Sequence, residues 1–244
     1  MINVAIARPL ITITNVIWCY DSLSQKIKVL LVKREDRPFE EYWALPETFL
    51  RDNENARTAS LRLVKERIGL DLPEIHAEQL ATFTAPSRNP DGRAISLSYM
   101  IFLPECTNLI VGPGAVDVAW FDLVYVKNKH FEFINDNLRF TTLDDNEYIT
   151  IEDSTKRLAF DHNWILTVAC NRIINKLDYQ PTILLILGVS FTLKEARHIF
   201  ELFGKYEPDN SNFLQNHKKI LEPDGRIEKQ GPGRPAKKYR LTLN

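Results

Sequence analysis

Apolar and β-branched residues run through Leu10–Tyr20 and again through Ile27–Lys33, on either side of the polar stretch Asp21–Ser24. This is the pattern of strand, turn, strand. The period then changes. Ala56, Ala59, Leu63 and Val64 recur at helical spacing, with Asp52 and Asn53 ahead of them as capping residues and Gly69 behind as a stop. A helix is therefore predicted from about Glu54 to Ile68. Gln79–Thr84, Ile95–Leu103 and Val118–Phe121 read as further strands, separated by the turn-rich SRNPDGR and VGPG. Strands surrounding one helix in this order predict a mixed α/β (α+β) sandwich.

Period-two alternation returns in FEFINDNLRF and EYITIED, so His130–Asp153 is expected to form a β-ribbon lying between two halves of the chain. From Ser154 the pattern turns helical, with Leu158, Ile165, Val168, Ala169, Arg172, Ile173 and Leu177 near one face. Pro181–Leu187, Leu193–Phe203 and Asn212–Leu221 read as shorter helices, and two strand-like pieces flank Gln230–Gly233. Helices followed by a hairpin are the order of a winged helix-turn-helix. The expected organisation is a sandwich domain over 1–153, with 130–153 as an insertion, then a linker helix and winged helix over 154–244.

The 244 residues suffice for two cores, and a formal net charge of −1 puts no global field around the protein. Any nucleic-acid signal must be local, and one is present. Between Lys205 and Arg240 nine cations stand against five acids. The helix opening near Asp209 offers Asn210, Ser211, Asn212, Gln215, Asn216 and His217, followed by Lys218 and Lys219. Phe213, Leu214 and Ile220 would anchor it. Amides at such positions can read base edges, while Arg234, Lys237 and Lys238 beside the Gly-Pro turn suit phosphate contacts. The plainer alternative is a structural helix with a solvated basic face. Cys19, Cys106 and Cys170 are far apart and odd in number, which implies no disulfide and a reducing, cytoplasmic setting. No apolar run approaches the roughly 20 residues that span a bilayer.

Candidate chemistry centres on Leu45–Leu70. An acid-rich helix can gather carboxylates around Mg²⁺, which wants oxygen ligands. Leu63, Glu66 and Arg67 are neighbours on the expected helix, and only Glu66 among them is an acid. Divalent metal should bind poorly there, so neither catalysis nor a cofactor is expected. Leu63 reads as core. Arg67 is either solvated or a direct contact to diphosphate oxygens. Arg88 and Arg93 could meet an anionic ligand or remain solvated loop arginines, Arg34 at a strand end could meet a ligand or form a surface ion pair, and Trp43 could stack on a base or lie in the core. Glu47 reads as a surface-loop carboxylate, and the five histidines as structural.

The segment resembles the Nudix box, G-x5-E-x7-R-E-U-x-E-E-x-G-U, in which U is aliphatic. Glu54, Arg62, Val64, Glu66, Gly69 and Leu70 match, whereas Thr48, Leu63 and Arg67 depart. LAFDH at Leu158–His162, KLDY at Lys176–Tyr179, FTLKEARHIFE at Phe191–Glu201, Asn212-Phe213 and GRPAKKYRL at Gly233–Leu241 extend the likeness over nearly the whole chain. GRAISLSYMIFL after SRNPD is similar to the strand that follows an ADP-ribose-type substrate loop. Taken together, the chain resembles the NrtR family of Nudix-related transcriptional regulators.

That resemblance implies a dimeric repressor of operator DNA whose N-terminal domain senses ADP-ribose, a related nucleotide or a sugar. The implied contacts are Arg34, Trp43, Glu66, Arg67, Arg88 and Arg93 for the effector. For DNA they are Asn210, Ser211, Asn212, Gln215, Asn216, Lys218, Lys219, Arg234, Lys237 and Lys238. Two other readings compete: a working hydrolase of ADP-ribose-type diphosphates with an accessory tail, and a nucleotide- or sugar-binding module without DNA function.

Overall fold

The computed structural model describes residues 8–144, 157–206, 209–228 and 235–242. Strand β1 (Leu10–Asp21) turns back into β2 (Lys26–Arg34), and the Asp21 carboxylate closes the turn by accepting from the Leu23 and Ser24 backbone N–H groups. Short strands β3 (Trp43–Ala44) and β4 (Glu47–Phe49) follow, then helix α1 (Ala56–Ile68). Next come β5 (Ala77–Phe83), β6 (Ala94–Phe102), β7 (Ala115–Lys127), β8 (His130–Asn135) and β9 (Leu138–Thr141). They form one sheet in the order β5-β6-β1-β2-β7-β8-β9, with β3 on β2 and β4 on β1. The central pair, β1 and β6, is parallel from Leu10↔Ala94 to Trp18↔Phe102.

Strand β1 is apolar on both faces because each face is covered. Ile13, Ile17 and Cys19 share a cluster with Ala59 and Val64 of α1. Val16 and Trp18 point the other way, where α2 (His162–Lys176) lays Ile165, Leu166, Ala169, Cys170 and Ile173 against them. The sheet is thus sandwiched between α1 and α2. A 3-10 turn (Thr182–Leu187) leads to β10 (Phe191–Thr192), α3 (Leu193–Leu202), α4 (Asn210–His217) and the wing strands β11 (Leu221–Glu228) and β12 (Ala236–Leu241). The small sheet has the order β10-β12-β11. Phe191, Ile199, Phe200, Phe203, Phe213, Leu221 and Tyr239 belong to the same buried cluster as Val16 and Trp18. Phe203 meets Trp18 edge-on at 6.1 Å and Phe131 at 5.7 Å. Sheet, α2 and winged helix therefore share one core.

Several expectations shift. The cap of α1 is Asn55, which accepts from Thr58 N–H, rather than Asp52 or Asn53; Gly69, at φ 79°, ends the helix as expected. Val118–Phe121 is the middle of a longer strand. The ribbon expected from His130 is the edge of the main sheet as far as Thr141: β8 pairs with β7 and buries Phe131 and Phe133, and β9 pairs with β8 and buries Phe140. Its alternation reflects a half-covered sheet edge, and EYITIED lies outside the described residues. The helix expected from Ser154 begins at His162, Pro181–Leu187 is a 3-10 turn, and Leu221 opens a wing strand rather than closing a helix.

The cysteine reading is also corrected. Cys19 and Cys106 are joined in a disulfide, and Cys170 is free and buried. Their separation of 87 residues hid the pairing. Parallel pairing of β1 with β6 sets Cys19, at the end of β1, beside the loop that leaves β6. No described helix is long and apolar enough to cross a membrane.

Candidate functional site

The residues proposed for one ligand pocket fall on two sides of the main sheet. On the α1 side, Arg62 forks onto Glu54 at 2.9 and 2.7 Å, reaches Glu66 at 3.1 Å and donates to the Phe49 carbonyl at 3.1 Å. Arg51 adds a second cation to Glu66 at 3.3 Å. The Arg62 bonds hold the Glu54 carboxyl below its ordinary range, and Glu54 in turn raises the Arg62 guanidinium. Leu63 is buried, as its place on the apolar face demands. Arg67 donates to the Pro113 carbonyl at 2.6 Å and lies so close to Gly112 that a Cβ there would meet its Nη1 at 2.9 Å. Burial lowers the Arg67 guanidinium. Arg67 thus braces the β6–β7 loop.

This donor set does not fit Mg²⁺. Glu54 and Glu66 are each neutralised by arginine, and the neighbouring helix positions carry Leu63 and Arg67 instead of acids. Among the described residues no three His, Cys, Asp or Glu side chains converge as a metal site.

On the α2 side a buried polar cluster forms where apolar packing stops. Strand periodicity puts Thr12 and Thr14 on one face, and the β1–β6 register sets Ser96 and Ser98 beside them. Thr14 donates to Glu47 Oε2 at 2.8 Å and shares a 2.7 Å hydrogen bond with Ser96. Glu47 is no surface-loop residue. Desolvation raises its pKa, against the opposing pull of Arg88, Thr14, Thr12 and Arg34.

Into this cluster comes the LAFDH segment. Ala159 N–H donates to the Trp43 carbonyl at 2.8 Å, and Asn163 Oδ1 accepts from Leu158 N–H at 2.8 Å. Asp161 receives a two-pronged bond from Arg88 at 3.1 and 2.9 Å, and both side chains are almost wholly buried. His162 Nδ1 accepts from Leu45 N–H at 3.0 Å, while its Nε2 stands 3.9 Å from Glu47 Oε2. Burial, then the charges of Arg88 and Arg34, push the imidazole well below its ordinary pKa, so it is neutral. Arg34 lies over the Phe160 ring at 4.9 Å and donates to the Pro38 carbonyl at 3.0 Å.

Of the six expected ligand residues, Arg34 and Arg88 flank this cluster. Arg88 is committed to Asp161 rather than solvated. Trp43 lies mostly in the core, edge-on to Phe121 at 5.1 Å and only 8% exposed. Arg93 donates to the Thr84 carbonyl at 2.8 Å and braces its own loop. Glu66 and Arg67 belong to the α1 side. Sequence reasoning passed over Glu47, Asp161 and His162 as site residues. The available signal was a polar Asp-His pair heading an apolar helix, which strand register alone connects to Glu47.

In the C-terminal half, Thr192 and Glu195 close a reciprocal capping box on α3, and Asp209 caps α4 through Ser211 and Asn212 N–H. Phe213 and His217 face inward, which removes His217 from the expected polar face. Asn210, Ser211, Asn212, Gln215, Asn216, Lys218 and Lys219 are exposed on the opposite side, as is Lys237, with Lys238 half-buried. Asn210 accepts from Arg197 of α3 at 3.0 Å. Arg234 lies outside the described residues.

The NUDIX domain family matches residues 13–141, and the NrtR DNA-binding winged helix domain matches residues 183–241. The chain belongs to the Nudix family and carries an NrtR winged helix. Among its relatives is the ADPR responsive transcriptional repressor NtrR of Acinetobacter baylyi, 26% identical over 240 residues that make up 96% of this chain and 83% of the relative. A MutT/nudix family protein from Enterococcus faecalis has a similar crystal structure, with 32% identity, a TM-score of 0.83, and coverage of 98% of this chain and 88% of the other. Shewanella oneidensis NrtR follows at 26% identity, TM-score 0.69, covering 96% and 94%. In this Nudix chain, α2 and its LAFDH entry fall between the two matched domains.

Proposed function

We propose that the protein is a ligand-responsive transcriptional repressor, binding operator DNA through the winged helix and holding ADP-ribose, a related nucleotide or a sugar in its Nudix half without cleaving it. The observation that carries this reading is the single core shared by the sheet, α2 and the winged helix. A change at the sheet is transmitted by packed side chains rather than lost in a linker. The Acinetobacter relative, an ADPR responsive repressor, supports the effector class. Arginine-neutralised acids in the box support binding without hydrolysis.

On this reading Asn210, Ser211, Asn212, Gln215 and Asn216 face base edges. Lys218, Lys219, Lys237 and Lys238 meet phosphates, with Arg234 in the same role. Arg34 is the effector contact best placed among those expected. The protein acts in the cytoplasm as a homodimer, whose two winged helices must match half-sites about one DNA turn, roughly 34 Å, apart. A small rotation of α2 then weakens operator binding.

The test is fluorescence anisotropy of the full chain on a duplex selected from a random library, with and without ADP-ribose. A several-fold change in operator affinity is expected, and an unchanged affinity overturns the sensor reading. Mg²⁺-dependent cleavage of the diphosphate bridge of ADP-ribose would favour the hydrolase instead.

A further inference from the structure

We propose that His162 and Glu47 form a hydroxyl-binding subsite for the sugar portion of the effector, joining the sensing sheet to α2 through the ligand itself. The inference rests on the reading of the Nudix half as a non-cleaving sensor and names the chemistry that half recognises.

The geometry defines the ligand class. Because His162 Nδ1 takes the Leu45 N–H, the ring proton sits on Nε2. His162 is fully buried, and Nε2 has no hydrogen-bond partner among the described residues. Buried donors are rarely left in this state, so an orphan one is a pointer to a ligand. It faces Glu47 Oε2 at 3.9 Å, beyond direct hydrogen-bond range. A single hydroxyl oxygen between them accepts from Nε2 and donates to the carboxylate, satisfying both groups at once. A phosphate oxygen can accept from Nε2 but meets the Glu47 charge, so the pair selects sugar hydroxyl over phosphate. The Glu47 side chain keeps 18% of its exposure and His162 none, so the ligand hydroxyl must reach Nε2 past the carboxylate.

The placement also explains how binding is reported. Glu47 stands on β4, which pairs with β1, whereas His162 is the first residue of α2. A hydroxyl that bridges them ties the sheet to the helix packed against the winged domain. Arg88–Asp161 holds the adjacent turn, so the bridge acts on a fixed element.

Titration calorimetry of the full chain with ADP-ribose and with ADP, which lacks the terminal ribose, tests the subsite. Wild type is expected to prefer ADP-ribose. Glu47→Gln, nearly isosteric, is expected to weaken ADP-ribose on the order of ten- to a hundredfold, as for a lost bond to a charged group, and to leave ADP unchanged. Retained ADP and operator binding show that the variant is folded. Equal losses for both ligands, or none, overturn the subsite and leave a bridging water only. A wild-type chain that binds neither ADP-ribose nor ribose 5-phosphate overturns it as well. If Glu47→Gln acts as expected but ADP-ribose leaves operator affinity unchanged, the subsite stands and the repressor reading falls.

Discussion

The two faces of the main sheet treat charge in opposite ways. On the α1 side, which carries the family signature, Glu66 and its partner Arg51 remain about half exposed and water shares the load. On the α2 side, which carries no residue of the box, Arg88 and Asp161 retain 2% and 3% exposure, and His162 is fully buried. Charges kept in water cost little to hold and contribute little when lost. Charges and donors taken out of water must be matched, and a mismatch there is costly. The family signature therefore lies where acids are paired with arginines at the protein surface, while the energetically consequential polar groups sit across the sheet, where the second half of the chain enters.

The largest effect that follows is from Arg88→Ala. It leaves the Asp161 carboxylate buried without a partner, and a loss of about 3–5 kcal/mol in unfolding free energy is expected from denaturant titration. The double variant Arg88→Ala/Asp161→Ala should recover part of that loss, because no charge is then stranded. A loss below 1 kcal/mol for the single variant would place this pair with the surface ion pairs and erase the contrast between the faces.

Acid pH gives the next effect. His162 is held below the ordinary imidazole value of 6.5, so below that pH the unfolded chain binds a proton that the folded chain refuses. Stability is then lost as pH falls from 6.5, at about 1.4 kcal/mol per pH unit for one proton. Glu47 acts in the opposite direction, because its raised pKa lets the folded chain take up a proton first on acidification. Arg88 and Arg34 are the other charged groups acting on the ring, and Asp161 holds Arg88 in place. The slope is therefore best read in a Glu47→Gln background, where adding His162→Gln should flatten it. An unchanged slope would mean that the folded chain accommodates the imidazolium.

How much of this was legible in the sequence differs between the faces. Periodicity over Ala56–Val64 with Gly69 behind it defines α1 to within two residues, because the signals of a helix are local. The winged helix was readable for the same reason: α3 and α4 carry their own caps, and local basic charge marked the wing. The α2 side was not. Glu47 reads as exposed because it is a lone carboxylate next to a proline, where a loop is expected. Its real surroundings, Thr14, Ser96 and His162, lie at sequence separations that only register closes. The Cys19–Cys106 bond escaped for that reason too. The edge strands from His130 were seen as strands but given no sheet, since alternation says which face is covered and not by what.

A smaller effect belongs to the helix of the box. Asn55→Ala removes the side chain that accepts from Thr58 N–H, and a cap of this kind contributes about 1 kcal/mol. Hydrogen exchange should show the loss confined to the first turn of α1, while the α2 junction keeps its protection. Spread of the effect to the amides of Leu45 and Ala159 would couple the faces and weaken the distinction drawn between them.

Smallest of all should be Glu66→Gln. The Glu66 carboxylate is 45% exposed and pairs with Arg51, itself 56% exposed, and with Arg62. An exposed pair contributes about 0.2–1 kcal/mol, and Arg62 keeps its bonds to Glu54 and Phe49, so the melting temperature should hardly move. The variant also asks the sharper question of what the box still does. Were Glu66 a surviving metal ligand, the wild type would cleave ADP-ribose with Mg²⁺ and the variant would not. Two guanidiniums already occupy its oxygens, and a divalent cation would have to displace both from a carboxylate with no second acid nearby on α1. Equal absence of turnover in both proteins is the expected result.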